Sequence, residues 1–334
     1  MFKVRNTEKR LQGLTFIDLF SGIGGFHLAL SSYGGKCVFA SEINEAAANV
    51  YYNNFKIKPK GDIRKIKAKD IPKHDILCGG FPCQAFSISG NQNGFSDDEG
   101  KLFFEILRIA KFHKPKLILL ENVKNLLSHN GGETISVIED RLKKIGYTTY
   151  KEVLCATDFS VPQARKRIYI VAFRNDLIVN DFTFPKGKGK LKCVEEILEN
   201  NVDARYEITV PYNVDVNRYN NIEKSDDLLR IGSVGLGRQG ERIYSIKGQG
   251  ITLSSQGGGV GGKTGMYYVN NTVRKLTPRE CARMMGFPEK FKVGQTDAEC
   301  YKQFGNSVVV NVLQEIVAEA SKYIVKNEND EETT

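Results

Sequence analysis

The sequence contains no uninterrupted apolar run of the length a membrane span needs, which sets aside a membrane-spanning protein. It has no Cys-x-x-Cys pair, and its seven cysteines (37, 78, 83, 155, 193, 281 and 300) fall at no zinc-ligand spacing with the four histidines. So odd and scattered a set reads as reduced thiols, most of them small buried hydrophobes, and no metal site is expected. The opening residues, MFKVRNTEKRLQG, lack the apolar stretch and small-residue cleavage site of a secretory signal, so a cytoplasmic location is expected. Internal repeats are missing too. Acids are in deficit: 39 stand against 48 Lys and Arg, net +9, and because the last nine residues, KNENDEETT, are themselves acidic, residues 1–325 carry +12. That excess favours a polyanionic partner, although a merely basic soluble protein has the same balance.

With 334 residues, 41% hydrophobic and 26% charged, the chain has ordinary globular composition and room for one large domain and a smaller one. From Leu14 to Phe173 apolar strand-like runs (TFIDLF, KCVFASEI, HDILCGG, KLILLENV, KRIYIVAF) alternate with helical patterns (EAAANVYYNNF, LFFEILRIAKF, ISVIEDRLKKI). The alternation predicts an α/β fold, a doubly wound parallel sheet with helices on both faces, whose ligands bind at the carboxyl ends of the strands. Beyond about residue 190 the texture changes. Twelve glycines fall between 232 and 265 among short β-prone pieces, ERIYSI, GITLSS and GMYYVNN, which predicts a second, smaller Gly-rich β domain. Thr277 and Pro278 open a helix over TPRECARMMG, and SVVVNVLQEIVAEASKYI forms an apolar final helix. The expected division is 1–193 with 304–334 as one domain and 194–303 as the other with its hinge. KGKGKLK (186–192) reads as a solvated linker, and the acidic tail as disordered.

FIDLFSGIGGF places Asp18 near the end of the first strand and Gly22, Gly24 and Gly25 before a helix, a turn that lets a ligand approach the backbone. Glu42 ends the second strand 20 residues after Gly22, where nucleotide-binding folds set an acid on ribose hydroxyls. Asp62, in GDIRKI, suits an adenine amino group. Each acid has a plainer reading as a cap or turn residue, and the glycines do not form the dinucleotide pattern G-x-G-x-x-G.

Cys83 emerges in Phe81-Pro82-Cys83-Gln84 from a strand's carboxyl end, and Glu121-Asn122-Val123 ends another strand. A thiolate beside a buried carboxyl group suits a pyrimidine. Carbon 5 of cytosine is too weak a nucleophile to be methylated directly, so a thiolate adds at carbon 6 first. Glu121, kept near neutral by burial, would support that addition from ring N3. In FSVPQARKRIYIVAF, strand alternation places Arg165 and Arg167 on one face, as forks for a phosphate or base carbonyl.

Taken together, DLFSGIGGF, GGFPCQAFSISG, ENVKN, VPQARKRIYIVAF, RKLTPRECARMMGFP and QFGNSVVVNVL resemble, in order and almost end to end, the bacterial cytosine-5 DNA methyltransferase family. The resemblance implies an S-adenosylmethionine-dependent enzyme that flips a cytosine from double-stranded DNA and releases S-adenosylhomocysteine. Carried over residue by residue, it implies Cys83 as nucleophile, Glu121 at N3, Arg165 and Arg167 as further catalytic-site residues, and Asn306 near the cofactor's methionine part. Asp18, Phe20, Gly22, Gly24, Gly25, Glu42, Ile43, Asp62, Ile63, Pro82 and Leu102 complete the implied cofactor contacts. RQGERIYS and ITLSSQGGG match members that modify the inner cytosine of GCGC. They imply that Gln239 and Ser89 fill the hole left by the flipped base, that Arg242 and Gly259 read guanines, and that Thr252 contacts DNA.

There are departures. Ile43 stands where such members stack a tryptophan on the adenine, which implies weaker cofactor binding. Asn91, Asn93 and Glu99 replace basic residues of the loop after Cys83, so fewer phosphate contacts and a shallower salt dependence are expected. Gln256 replaces a tyrosine of the recognition region. A monomer, possessing no metal and touching no membrane, is expected, with a restriction endonuclease sharing its site. Among rival readings, a transfer-RNA cytosine methyltransferase shares the cofactor turn, Pro-Cys and Glu-Asn-Val but does not call for the long Gly-rich domain. An adenine amino-methyltransferase needs an Asp-Pro-Pro-Tyr type segment where FPCQ stands. A catalytically dead DNA-binding regulator need not keep Cys83, Glu121 and the arginines together, and a nicotinamide dehydrogenase leaves that set unexplained.

Overall fold

The computed structural model describes residues 9–81, 100–187, 189 and 192–325, and these form two units. The first comprises the chain to Leu154, Lys166–Pro185 and the chain from Leu313 onward; the second comprises Cys155–Arg165 and Lys186–Val312.

In the first unit six strands, β1 (Thr15–Leu19), β2 (Lys36–Ser41), β3 (Ile76–Gly80), β4 (Leu117–Val123), β5 (Tyr147–Cys155) and β6 (Lys166–Arg174), lie in the order β2-β1-β3-β4-β6-β5. β2, β1, β3 and β4 pair parallel with one another, and the connections β1 to β2, β2 to β3 and β3 to β4 carry helices α1 (Gly25–Ser32), α2 (Glu45–Phe55) and α3 (Gly100–His113) in turn. The sheet departs from the all-parallel expectation at β6, which runs antiparallel to β4. A parallel return needs a crossover of a dozen or more residues. Only the short 3-10 segment Ala156–Phe159 and a few further residues separate β5 from β6. β5, YTTYKEVLC, is a strand the apolar pattern did not reveal. Its faces are mostly half-exposed, so it lacks the continuous apolar run of the central strands.

Strand residues Ile17, Leu19, Leu77, Ile118, Leu120, Ile168 and Ile170 pack with Phe103, Ile106 and Ala110 of α3 and Ile138 and Leu142 of α4 (Glu133–Lys144). Burying side chains of this size stabilises the fold by about 1.5–3 kcal/mol each. The last helix, α8 (Val310–Ile324), is seated in this unit by Gln314 Nε2, which donates to Ser32 Oγ (3.1 Å), and by Arg10 Nη1, which donates to Ala318 O (3.0 Å). Tyr323 meets Phe173 edge to face with ring centroids 5.5 Å apart.

The second unit holds a five-stranded sheet, β11-β10-β9-β8-β7, made by β7 (Tyr212–Val214), β8 (Arg230–Val234), β9 (Arg242–Ser245), β10 (Met266–Val269) and β11 (Thr272–Lys275). Asn270 and Asn271, both at positive φ, close the β10–β11 hairpin as a tight turn whose twist matches the strands. Of the β-prone pieces, ERIYSI and GMYYVNN supply β9 and β10. GITLSS forms no strand; Gly250 makes only an isolated bridge to Gln163. Helix α5 (Val216–Asn221) precedes β8. Helix α6 (Pro278–Met284) starts as expected, with Thr277 capping Glu280 N–H, Glu280 returning to Thr277 N–H, and Pro278 in the first turn. Helix α7 (Asp297–Asn306) follows.

Candidate active site

Three of the five residues from Phe20 to Gly24 take left-handed backbone: Phe20 (φ 54), Gly22 (φ 52) and Gly24 (φ 93). At Gly24 a Cβ would collide with the Phe55 ring, whereas at Gly22 it would meet nothing within 4 Å. The turn is therefore packed from behind and open in front. Glu42 clamps it: Gly22 N–H donates to Oε2 at 2.8 Å and Asn44 N–H to Oε1 at 2.7 Å. Each carboxylate oxygen accepts one backbone N–H and keeps capacity for a ligand hydroxyl. Ile43, beside it, is 68% exposed.

Asp18, at the end of β1, is fully buried, and burial, aided by the Glu42 charge, pushes its carboxyl well above the usual carboxylate range. Its Oδ2 and the Ser21 hydroxyl are buried without a hydrogen-bond partner among the described residues. Behind the turn lies a polar cluster that the sequence did not reveal. His27 Nδ1 is 2.7 Å from Tyr51 OH, Cys37 Sγ is 3.6 Å from the same hydroxyl, and Cys78 Sγ donates weakly to Asp18 Oδ1 at 3.8 Å. The His27 ring stacks on Phe55 at 3.8 Å, and burial lowers its pKa to about 3. Within the apolar periodicity of GFHLALSS nothing marks this histidine.

Asp62 caps the 3-10 turn Ile63–Lys65 by accepting Arg64 N–H at 3.0 Å and also pairs with the Arg64 guanidinium at 2.9 Å, which holds its carboxyl below the usual range. The plainer reading of this acid as a cap thus holds alongside any ligand role. Ile63 is a core residue, and Leu102 packs against the same core.

The carboxyl ends of β3 and β4 lie side by side, with Gly80 in register with Glu121. Glu121 is 8% exposed, and Arg167 Nε, reached across the β4–β6 pair, is 3.2 Å from its Oε1. The Arg167 guanidinium is thereby held against the Glu121 carboxyl group. Asn122, to which the sequence reading gave no role, donates from Nδ2 to Phe81 O at 2.8 Å and accepts Val123 N–H at 2.8 Å. It thereby fixes the backbone at the last described residue before Pro82 and Cys83. Pro82, Cys83, Ser89, Asn91, Asn93 and Glu99 lie outside the described residues.

In the second unit Arg165 is 3% exposed and stands immediately before β6, which begins at Lys166. The Arg165 guanidinium donates to three carbonyls: Leu253 O (3.2 Å), Gly305 O (3.2 Å) and Ser307 O (2.8 Å). It therefore braces the backbone on both sides of Asn306, whose side chain stays exposed at the end of α7. Gln163 is buried too, accepting Leu253 N–H at 3.1 Å and donating to Met284 O at 3.1 Å. Thr252 Oγ1 donates to Ala164 O, which occupies the hydroxyl proton. Gln239 and Arg242 are exposed, and their segment meets the glycine run: Gly261 N–H donates to Gly240 O at 2.8 Å, and Gly259 sits against Gly240 at φ 81. No group of three or more His, Cys, Asp or Glu residues that could hold a metal occurs among the described residues, and none of their helices is long and apolar enough to cross a membrane.

A glycine turn at the first strand, an acid at the second and a Pro-Cys/Glu-Asn-Val pair at the third and fourth define a methyltransferase of the mixed α/β class. The chain belongs to the C-5 cytosine-specific DNA methylases, whose family model matches residues 14–322. It is 48% identical over 309 residues to the type II methyltransferase M.HhaI of Haemophilus parahaemolyticus, covering 92% of this chain and 94% of that one. It is 44% identical over 305 residues to M.HaeII of Haemophilus aegyptius, covering 90% of each. In fold it is similar to the Dnmt2 methyltransferase of S. pombe (TM-score 0.71, 23% identity, 91% of this chain and 97% of that one) and to Entamoeba histolytica EhMeth (TM-score 0.69, 23% identity, 92% and 97%). The protein is accordingly an enzyme, a cytosine-5 DNA methyltransferase, and dependence on S-adenosylmethionine goes with the family.

Proposed function

We propose that this enzyme flips a cytosine out of duplex DNA and methylates it at carbon 5 through a covalent adduct with Cys83, within a type II restriction-modification system whose endonuclease shares its site. The observation that carries the reading is the pairing of Glu121 with the chain entering Pro82-Cys83: Gly80 lies in register with Glu121, and Asn122 holds Phe81 O at 2.8 Å. The Cys83 thiolate forms a bond to cytosine C6 while the thiol's proton passes by way of Glu121 to N3, leaving an enamine nucleophilic at C5. C5 would take up the methyl group as the donor's methyl carbon–sulfur bond breaks and its thioether, S-adenosylhomocysteine, leaves. A base then takes the C5 proton, the C6–S bond breaks, and N3 gives its proton back. Arg167 orients Glu121, and Arg165 keeps the segment around Asn306 in place.

S-adenosylmethionine supplies the methyl group when bound. The turn fits it: the space before Gly22 is open, Glu42 has acceptor capacity for ribose hydroxyls, and Asp18 and Ser21 hold unpartnered buried oxygens. Phe20, Gly24, Gly25, Ile43, Asp62, Ile63, Pro82, Leu102 and Asn306 complete the proposed cofactor set. On the DNA side Gln239 and Ser89 fill the vacated stack, Arg242 and Gly259 read guanine edges, and Thr252 contacts the strand. The backbone bond between Gly240 and Gly261 supports joint reading by the two recognition segments. The proposed site is the inner cytosine of GCGC, and the proposed enzyme is a cytoplasmic monomer. The domain division is proposed as 1–193 with 304–334 for catalysis and 194–303 for recognition.

Incubation with methyl-labelled S-adenosylmethionine and, separately, GCGC duplex, scrambled duplex and transfer RNA tests the reading. Label confined to GCGC duplex supports it. Label on scrambled duplex discards GCGC, and label on transfer RNA discards DNA as the substrate.

A further inference from the structure

The chain's positive charge is not where target recognition is proposed. Residues 194–303 hold fifteen Lys and Arg against fourteen acids, net +1. Residues 56–73, KIKPKGDIRKIKAKDIPK, hold eight cations against two acids, net +6 of the chain's +9.

The lysines of this stretch, Lys56, Lys58, Lys60, Lys65, Lys67, Lys69 and Lys73, are all exposed, and none forms an ion pair among the described residues. The acid Asp62 is committed to Arg64. Nor is the segment a loose basic tail. Ile63 and Ile71 belong to the unit's core, Ile66 packs on it, and Pro59 is buried. Arg108 of α3 donates to Ile63 O (3.2 Å) and Ile66 O (2.8 Å), His113 Nε2 lies 2.8 Å from Ala68 O, and Lys60 N–H donates to Ala40 O at 2.9 Å. A backbone so anchored from both sides presents its lysines as a fixed ridge. Like charges held together on a rigid frame repel one another, and a polyanion relieves that repulsion while releasing its counterions.

We propose that the ridge formed by residues 56–73 is a second DNA-binding surface, one that holds the phosphate backbone of duplex DNA without regard to sequence. It supplies the non-specific affinity that a recognition unit of net +1 does not. This deepens the DNA-methyltransferase reading and rests on it for the identity of the polyanion.

The test replaces Lys58, Lys67, Lys69 and Lys73 together by Gln, in the full chain, and compares binding to a duplex lacking GCGC across a salt series. Each lost phosphate contact removes about 0.9 from the slope of log affinity against log salt. The variant's slope is expected to be shallower by about 2–4, with at least a tenfold loss of affinity at low salt. The fourfold Lys→Arg variant keeps the wild-type slope, and methyl transfer at saturating short duplex and cofactor is unchanged in all three proteins. Equal slopes for wild type and the Gln variant, or no measurable binding by wild type, overturn the ridge. If the slopes differ but no protein methylates DNA, the ridge stands and the proposed reaction falls. If all methylate DNA and the slopes coincide, the reaction stands and the ridge falls.

Discussion

Arg167 Nε lies 3.2 Å from Glu121 Oε1, so β6 supplies a cation to the acid near the carboxyl end of β4. The antiparallel register that pairs Val123 with Arg167 makes the contact possible, because it brings the arginine to the carboxyl end of β4. Replacing Arg167 by Gln removes a charge-assisted contact worth about 1.5–3 kcal/mol. If its main role is to orient Glu121, kcat falls by about 10- to 100-fold while affinity for duplex DNA changes less than threefold. Single-turnover methylation with a parallel binding titration checks this. A loss confined to DNA affinity would instead make Arg167 a phosphate contact.

The two glycines of the cofactor turn should part company on substitution. Gly24→Ala puts a Cβ into the Phe55 ring at φ 93, so strain of about 1–2 kcal/mol and overpacking of about 1–3 kcal/mol add, and the melting temperature falls by several degrees. Gly22→Ala meets no atom within 4 Å, so the fold tolerates it within about 1–2 kcal/mol, but affinity for S-adenosylmethionine falls at least tenfold. Thermal melts with and without cofactor, alongside calorimetric titration, separate the two effects.

Acid should destabilise the protein through its buried histidines. Burial lowers His27 to about 3 and His74 to about 4, from an ordinary value of 6.5. The unfolded chain therefore takes up these protons first as pH falls. The stability due to their neutral forms is full above about pH 6.5 and is lost progressively below it, down to the folded values. Each contributes a slope of up to about 1.4 kcal/mol per pH unit in that window. Urea unfolding between pH 6.5 and 4.5 should show a shallower dependence for His27→Gln than for wild type. An unchanged slope would mean that His27 is protonated in the fold.

Arg165 is expected to matter to the fold of the second unit as much as to chemistry. A lysine cannot reach Leu253 O, Gly305 O and Ser307 O together, because it lacks the planar fork. Arg165→Lys should cost about 2–4 kcal/mol, read as a lowered urea midpoint. Retained stability with abolished methyl transfer would instead assign the residue to substrate alone.

The parts of this architecture written in local pattern were legible in the sequence. Apolar runs marked β1 to β4 and β6, Thr277 and Pro278 announced α6, and the turn at Gly22 to Gly25 followed from its glycines. What was not legible depends on long-range partners. β5 is half-exposed and carries no apolar run, and the reversal of β6 shows only in the shortness of its connection. GITLSS is β-prone but its backbone is taken by Gln163 and Ala164, and the three carbonyl partners of Arg165 lie 88 to 142 residues away in the chain. The contact of Arg167 with Glu121 depends on the register of β6 against β4, two strands apart in the chain. Asn122 was in view within Glu-Asn-Val, but its hold on Phe81 O required the register of β3 against β4.

Nucleoside analysis of DNA treated with wild type and with Cys83→Ala decides whether the Cys83 thiol carries methyl transfer to carbon 5. Wild type is expected to yield 5-methylcytosine, and Cys83→Ala none even though the variant still binds duplex. Methylation of an exocyclic amino group, or 5-methylcytosine formed at an undiminished rate without the Cys83 thiol, would contradict this.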